Sequence, residues 1–123
     1  MKISILCENY TSKMWILAEH ELSLLIESGG IYIILGCSHP GIINCVKHAK
    51  KLFKDEKILS IIGGFHLSNT STYNVKKIIS ELRALDVNDT TIMHCTGFNA
   101  YFEFKQEYKD NCRYLSSGEI ISF

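Results

Sequence analysis

The chain has 123 residues, of which 46% are hydrophobic and 21% charged, and 13 basic and 13 acidic residues give it a formal net charge of zero at pH 7. These values are typical of one small globular domain, and we expect residues 1–123 to form it. A neutral chain lacks the basic character of a nucleic-acid-binding protein, and no apolar run approaches the roughly 20 residues that a membrane helix needs. We therefore expect neither a nucleic acid nor a membrane as partner.

The five cysteines are widely spaced, and no two of them form a Cys-x-x-Cys pair. An odd number of dispersed cysteines is typical of a reducing compartment rather than of a disulfide framework. The apolar stretch at the start of the chain is too short, and too soon followed by charge, for a secretory signal. These features predict a cytoplasmic protein.

The first predicted elements are strands. Residues 2–7 alternate between apolar and polar side chains, and residues 8–12 have the composition of a loop. Residues 15–21 leave the element type open. Residues 22–27 and 31–35 are apolar runs on either side of a Gly-rich turn, which predicts a β-hairpin.

The rest of the chain is dominated by strand–loop–helix units. Their strands are apolar and β-branched, and we predict them at residues 31–35, 59–63 and 90–94. Each is followed by apolar residues spaced near 3.6, which predict amphipathic helices within 42–53, 75–85 and 98–108. Pro40 suits the first turn of the first helix, where its missing N–H costs nothing. A closing hairpin is predicted for residues 112–115 and 119–123.

A histidine follows or ends each of the three strands, at nearly equal intervals along the chain: His39, His66 and His94. If the strands run parallel, these residues lie at the carboxyl edge of the sheet, where open α/β sheets bind ligands. Imidazole is the commonest nitrogen ligand of zinc-like metals, and three protein donors with an open position hold a catalytic zinc. The pattern favours a metal site on these histidines. Loop histidines that hydrogen-bond to backbone remain the alternative.

Small polar residues accompany the histidines. Ser38 and Thr96, with the amide groups that begin the helices, suit a phosphate or carboxylate group, and we predict that Ser38, Cys95, Thr96 and Gly97 bind a small anionic substrate. Cys37 and Cys95 are either soft additional metal ligands or small buried apolar residues.

Three segments in this order carry a resemblance: Gly-Cys-Ser-His39-Pro-Gly-Ile, Ile-Gly-Gly-Phe-His66-Leu and His94-Cys-Thr-Gly. They resemble the C-terminal half of metallo-β-lactamase-fold proteins, in particular the branch of 7,8-dihydropterin-6-methyl-4-(β-D-ribofuranosyl)-aminobenzene-5′-phosphate synthases. The resemblance implies an α/β fold, a shortened αββα sandwich of strand–loop–helix units with an N-terminal strand pair. His39 and His94 are similar to metal histidines of this family, and His66 stands where a bridging acidic ligand is usual.

The family's signature His-x-His-x-Asp-His does not occur in the chain. The resemblance therefore implies one divalent metal, most simply zinc and otherwise iron or manganese, held by His39, His94 and His66. The protein is then a metal-dependent hydrolase or pterin-condensing relative acting on a small phosphate-bearing anion. The alternative is a non-catalytic remnant, with or without metal, that binds a small anion or a partner subunit. A sandwich that lacks part of one half exposes apolar surface, which predicts a homodimer.

Overall fold

The computed structural model describes residues 1–7 and 22–122. Its strands are β1 (Lys2–Cys7), β2 (Ser23–Glu27), β3 (Ile31–Leu35), β4 (Ile58–Gly63), β5 (Thr90–Ile92) and β6 (Cys112–Tyr114). Its helices are α1 (Ile42–Leu52), α2 (Thr72–Ala84) and α3 (Phe98–Tyr108), and short 3₁₀ turns lie at His94–Thr96 and Lys109–Asn111. None of the described helices is both long and apolar enough to cross a membrane.

The six strands form one sheet in the order β1-β2-β3-β4-β5-β6. The pairs β1–β2 and β2–β3 are antiparallel, whereas β3, β4, β5 and β6 run parallel to one another. The predicted hairpin is thus confirmed as β2 and β3, with Leu25 opposite Ile33. The three predicted strand–loop–helix units and the α/β class are also confirmed.

The helices cover one face of the sheet. Because the parallel strands are adjacent in chain order, right-handed crossovers place all three helices on the same side, and α2 contacts both α1 and α3. The core between the layers contains Ile33, Ile61 and Ile92 from the strands, with Val46 and Phe104 from the helices, and all five are fully buried. Burial of each such side chain contributes about 1.5–3 kcal/mol to folding.

None of the three described helices lies on the opposite face, which we call the open face. Its apolar side chains are those that alternate with the buried ones along β1 to β4: Ile3, Ile5, Leu24, Ile26, Ile34 and Ile62. Ile3 and Ile5 are 58% and 64% exposed. The described residues therefore supply one β layer and one α layer of the expected αββα arrangement.

Several element boundaries differ from the prediction, two of them at residues that the sequence singled out. β5 ends at Ile92, and His94 begins a 3₁₀ turn, because the backbone at His94 is left-handed, with φ +56°. Pro40 precedes the first helix instead of lying in its first turn, since Gly41 is the N-cap and Ile42 the first helical residue.

The predicted C-terminal hairpin is wrong. β6 pairs in parallel with β5, and the N–H of Leu115 extends this pairing by donating to the carbonyl of Ile92. Residues 115–122 form no strand, and Ile120 is 92% exposed. Residues 112–114 therefore pair with β5 and not with residues 119–123. The loop predicted at residues 8–12 lies outside the described residues. So do residues 15–21, for which the sequence left the element type undecided.

Candidate metal centre

The loops that leave β3, β4 and β5 share an unusual backbone conformation. Ser38, His66 and His94 have φ values of +54°, +52° and +56°. The left-handed region costs a non-glycine residue roughly 1–2 kcal/mol, and such residues cluster at functional sites where surrounding contacts impose them. Three of them at one edge of the sheet make this edge the candidate functional site.

Hydrogen bonds fix the first loop to the second. The Ser38 hydroxyl donates to the carbonyl of Gly64 at 2.6 Å, and the N–H of Gly64 donates to the carbonyl of Gly36 at 3.1 Å. Ser38 is buried, so its hydroxyl holds the two loops together. Its predicted contact with a substrate stays a prediction.

Thr96 fixes the third loop to the second in the same way. Its hydroxyl accepts a hydrogen bond from the N–H of Phe65 at 2.9 Å and donates one to the carbonyl of Met93 at 2.9 Å. Thr96 is fully buried. The hydroxyl is therefore engaged in positioning the loops, and its predicted substrate role is likewise untested.

Two glycines permit the close approach of these loops. A Cβ atom at Gly64 would lie 2.6 Å from the carbonyl oxygen of Gly36 and 2.8 Å from the sulfur of Cys95. Gly97 has φ +80°, and a Cβ there would lie 2.7 Å from the Cα of Ser68. Gly97, predicted to bind substrate, is thus the point where the N-terminus of α3 packs against the loop before α2.

Cys37, His94 and Cys95 place three metal-binding atoms together. The Cys37 sulfur lies 3.0 Å from Nε2 of His94, and the two sulfurs and one imidazole nitrogen all lie within 4.8 Å of one another. In the part of the chain that the structure describes, no other group of three or more His, Cys, Asp or Glu side chains is arranged to hold a metal ion. Both cysteines are half-buried and His94 is exposed, so the cluster is reachable from solvent.

The environment of Cys95 favours a neutral thiol in the absence of a cation. Burial raises the pKa of the Cys95 thiol, a backbone hydrogen bond from His66 lowers it, and the neighbouring Cys37 sulfur raises it again. The thiol donates to the carbonyl oxygen of Cys37 at 3.6 Å. A cation bound here would have to displace this proton, because the thiolate is the metal ligand.

His39 and His66 form a second group at the same edge. Their rings make a T-shaped contact with centroids 4.8 Å apart and planes at 88°, and both residues are exposed. The loop after β4 that carries His66 also approaches the cysteine cluster, because a Cβ atom at Gly64 would lie 2.8 Å from the Cys95 sulfur and 3.2 Å from the His94 ring. The structure thus brings all three predicted histidines to the carboxyl edge, as one pair and as a single imidazole beside two thiols. Whether they share a metal ion stays a prediction.

A cavity of about 400 Å³ adjoins the histidine pair. Its lining includes both imidazoles, Lys47 and the first turn of α1, which contains no acidic residue. Glu81 is the only acidic residue of this lining. Sequence reasoning did not find Lys47 as a site residue; its position within two turns of the start of α1 was the available sign that it faces the site.

Comparison with known proteins agrees with this architecture. The chain is 38% identical over 106 residues to the 7,8-dihydropterin-6-methyl-4-(β-D-ribofuranosyl)-aminobenzene-5′-phosphate synthase of Methanocaldococcus jannaschii, a match that covers 85% of this chain and 36% of the synthase. It is 39% identical over 89 residues to an uncharacterized protein of the same organism, over 72% of this chain and 32% of that protein. No protein-family model matches the chain.

A solved structure extends the comparison. The crystal structure of Tm1679, a metal-dependent hydrolase of the β-lactamase superfamily, matches with a TM-score of 0.73 and 31% identity, over 83% of this chain and 40% of the hydrolase. With the fold described above, this match identifies the chain as a metallo-β-lactamase-fold protein. Within that class it resembles the dihydropterin-ribofuranosyl-aminobenzene phosphate synthase. The chain spans about a third of the length of the curated relatives.

Proposed function

We propose that the chain binds one divalent metal ion at the carboxyl ends of β3, β4 and β5 and acts, hydrolase-like, on a small phosphate-bearing anion bound beside it. One observation carries this proposal: metal-binding side chains from three separate loops gather at one sheet edge, in the two groups Cys37–His94–Cys95 and His39–His66. The description of Tm1679 as a metal-dependent hydrolase supports it.

The donor set fits a divalent metal ion. Imidazole and thiolate groups are ligands of zinc and ferrous iron, so zinc is the simplest choice and iron the next candidate, ahead of manganese, which prefers oxygen ligands. His94 belongs both to the three predicted histidines and to the cysteine cluster, so these two candidate ligand sets share it. When bound, such a cation polarises a phosphate oxygen or lowers the pKa of a coordinated water.

The adjoining cavity suits the anion. Lys47 supplies a positive charge, and the first N–H groups of α1 point toward the start of the helix, where negative charge is stabilised. The imidazoles of His39 and His66 can donate hydrogen bonds to phosphate oxygens at the mouth of the cavity. Lys47, the start of α1 and the imidazole pair thus orient the anion next to the metal site, with Glu81 as the one opposing charge of the lining.

Metal analysis tests the first half of the proposal. We expect the purified protein to bind close to one equivalent of zinc, measured by calorimetry and by elemental analysis, and His94→Ala to remove this binding. His48→Ala, on α1 and outside both groups, is the matched control and should bind as the native chain does. A chain that binds no zinc above background contradicts the proposal.

Activity assays test the second half. We expect the zinc-loaded protein to release product from a panel of phosphodiesters and phosphomonoesters, and Lys47→Ala to raise KM for the accepted substrate while zinc binding is unchanged. Absence of turnover in a protein that holds zinc would contradict the hydrolase-like activity and leave only metal binding.

A second candidate function is that of a non-catalytic subunit that associates with another copy of the chain. The open face favours it, because an exposed apolar sheet face is a typical association surface. The odd number of dispersed cysteines is the basis on which we propose a cytoplasmic setting for either function.

Light scattering tests the association. We expect a homodimer at micromolar concentration and a monomer for Ile5→Lys, since a lysine on an outer strand opposes sheet-to-sheet contact. Tyr73→Lys is the matched control, because Tyr73 is 79% exposed but lies on α2 in the helix layer. A monomeric native chain, or dissociation by both variants alike, contradicts an interface on the open face.

A further inference from the structure

The geometry points to a sulfur-rich metal site: we propose that the ion is held by Cys37, His94 and Cys95, two thiolates and one imidazole, and not by three histidines. This inference rests on the proposed function, because it requires a metal ion at this edge. It deepens that function by naming the ligands, and with them the class of metal.

The distances carry the inference. Zinc binds thiolate sulfur at roughly 2.3 Å and imidazole nitrogen at roughly 2.0–2.1 Å, so neighbouring donors of a tetrahedral site lie about 3.5–3.8 Å apart. The observed span of the cluster is at most 4.8 Å, and its shortest contact, from the Cys37 sulfur to Nε2 of His94, is 3.0 Å. Shifts of about 1 Å or less therefore convert the cluster into a chelate. Rotation of the two cysteine side chains supplies shifts of this size.

Contacts between the loops also hold the three donor atoms close together. The loops that carry Cys37 and Cys95 are in direct contact, since the Cys95 thiol donates to the Cys37 carbonyl oxygen. The left-handed backbone of His94 turns the chain immediately before Cys95, so that consecutive residues both present donor atoms to Cys37. Gly64 leaves the space that the Cys95 sulfur occupies. Preorganised ligands of this kind lose little entropy when they bind an ion.

The other two histidines have a different environment. The rings of His39 and His66 contact each other and line the anion cavity, and neither belongs to the three-donor cluster. We assign them to the anion and not to the metal. The two groups thus have separate roles, because the two sulfurs and His94 hold the cation while the imidazole pair and Lys47 face the substrate.

The donor set selects the metal. Two thiolates and one imidazole favour zinc, ferrous iron or cobalt and disfavour magnesium and manganese, which prefer oxygen. Three protein donors leave one tetrahedral position open, the arrangement found at catalytic rather than structural zinc. The site would therefore accept a substrate atom without losing a protein ligand.

Cobalt titration tests the ligand assignment by a readout other than activity. Cobalt(II) bound by thiolate gives a near-ultraviolet sulfur-to-metal charge-transfer band, whereas cobalt held by histidine alone does not. We expect the reduced native protein to develop this band up to one equivalent, and Cys37→Ser and Cys95→Ser each to weaken it. Because loss of a group that merely orients a ligand already costs roughly 10–100-fold in affinity, each variant should bind zinc at least about tenfold more weakly.

Two controls separate ligand loss from misfolding. Cys45→Ser removes a thiol on α1 outside the cluster, and the double variant His39→Ala/His66→Ala removes the imidazole pair; both should keep the band at native intensity. Circular dichroism confirms that each variant is folded. Binding of one cobalt ion without a charge-transfer band, or a band lost only in the double variant, overturns the thiolate assignment and leaves the proposed metal binding intact. Failure of the native protein to bind cobalt or zinc at all overturns both.

Discussion

The N–H of Phe65 donates its hydrogen bond to the hydroxyl of Thr96 at 2.9 Å, in a part of the molecule where both residues are buried. This bond joins the loop after β4 to the loop after β5, and so it fixes His66 relative to His94. Just after the end of β4, the Thr96 hydroxyl thus replaces a backbone carbonyl as the acceptor for a main-chain N–H.

Thr96→Val tests this relationship. Valine has nearly the same shape but cannot accept the hydrogen bond, so the buried N–H of Phe65 loses its partner, and we expect the free energy of unfolding to fall by about 1–3 kcal/mol. Thr96→Ser keeps the hydroxyl and loses one methyl group, for which we expect a loss of only about 1 kcal/mol. Urea unfolding measures both. Equal losses would show that packing, and not the hydrogen bond, stabilises this position.

Gly64→Ala should disrupt the metal centre itself. The added Cβ would lie 2.6 Å from the backbone oxygen of Gly36 and 2.8 Å from the Cys95 sulfur, closer than any real Cβ contact. We therefore expect the loop to shift, Cys95 to be displaced and zinc affinity to fall at least about tenfold, by analogy with other losses of ligand support.

The matched control for that substitution is Gly29→Ala. Gly29 lies in the β2–β3 turn with φ +68° and has no atom within 4 Å of an added Cβ. Alanine there costs roughly 1–2 kcal/mol of stability through its backbone alone. Its zinc affinity, measured by competition with a chelator, should equal that of the native chain, and a parallel loss of affinity would assign the Gly64 effect to general destabilisation.

Asp89 is predicted to stabilise the sheet where β4, β5 and β6 meet. Its carboxylate accepts hydrogen bonds from the Ser60 hydroxyl at 2.6 Å and from the Arg113 guanidinium at 2.8 and 2.9 Å. Asp89→Ala removes all three, and we expect a loss of about 1–3 kcal/mol in thermal or urea unfolding, reduced from a fully buried value because Arg113 is partly exposed to solvent.

Asp86→Asn provides the contrast for Asp89. Asp86 has a side chain that is 85% exposed and lies 3.5 Å from the Lys50 ammonium group. Asparagine tolerates its left-handed backbone, with φ +61°. The exposed pair should contribute less than about 0.5 kcal/mol, so a loss as large as that of Asp89→Ala would contradict the assignment.

Local patterns predicted most of the described elements of this fold. A helical pattern predicted α3 at residues 98–108, as observed, and the apolar runs on either side of a Gly-rich turn predicted the hairpin of β2 and β3. The interval between successive strands predicted that His39, His66 and His94 lie along one edge. These features depend on residues close together in the chain, where side-chain periodicity is directly visible.

The sequence did not show which metal-binding side chains lie next to each other at this edge. Whether Cys37 or His39 faces His94 depends on the left-handed backbone at Ser38, which lies between them and is imposed by a hydrogen bond to Gly64, a residue 26 positions away. The prediction of a C-terminal hairpin was wrong for a similar reason, because β6 pairs with β5, which is distant in the sequence. Contacts between separate units, and not local pattern, decided both points.

Tyr108 provides a prediction that involves pH. Its ring packs beneath the guanidinium of Arg83 at 4.0 Å, and its buried hydroxyl has no hydrogen-bond partner among the described residues. Burial raises the pKa of Tyr108 from its ordinary value near 10 to about 12. Because the folded-state pKa lies above that of the unfolded chain, this group's contribution to stability is fully present below about pH 10 and is lost as the pH rises toward 12.

Tyr108→Phe should therefore have two effects. At neutral pH we expect unchanged stability or a gain of up to about 1 kcal/mol, because phenylalanine keeps the packing and the contact with Arg83 while it removes a buried hydroxyl that lacks a partner. Between about pH 10 and 12 the free energy of unfolding should fall less steeply in the variant than in the native chain, since one late-titrating phenol is gone. Tyr73→Phe, at an exposed position on α2, should leave both measurements unchanged. Urea unfolding across this pH range, with tyrosinate absorbance recorded in parallel, decides between the outcomes, since identical pH profiles for native chain and Tyr108→Phe would show that the buried phenol does not titrate late.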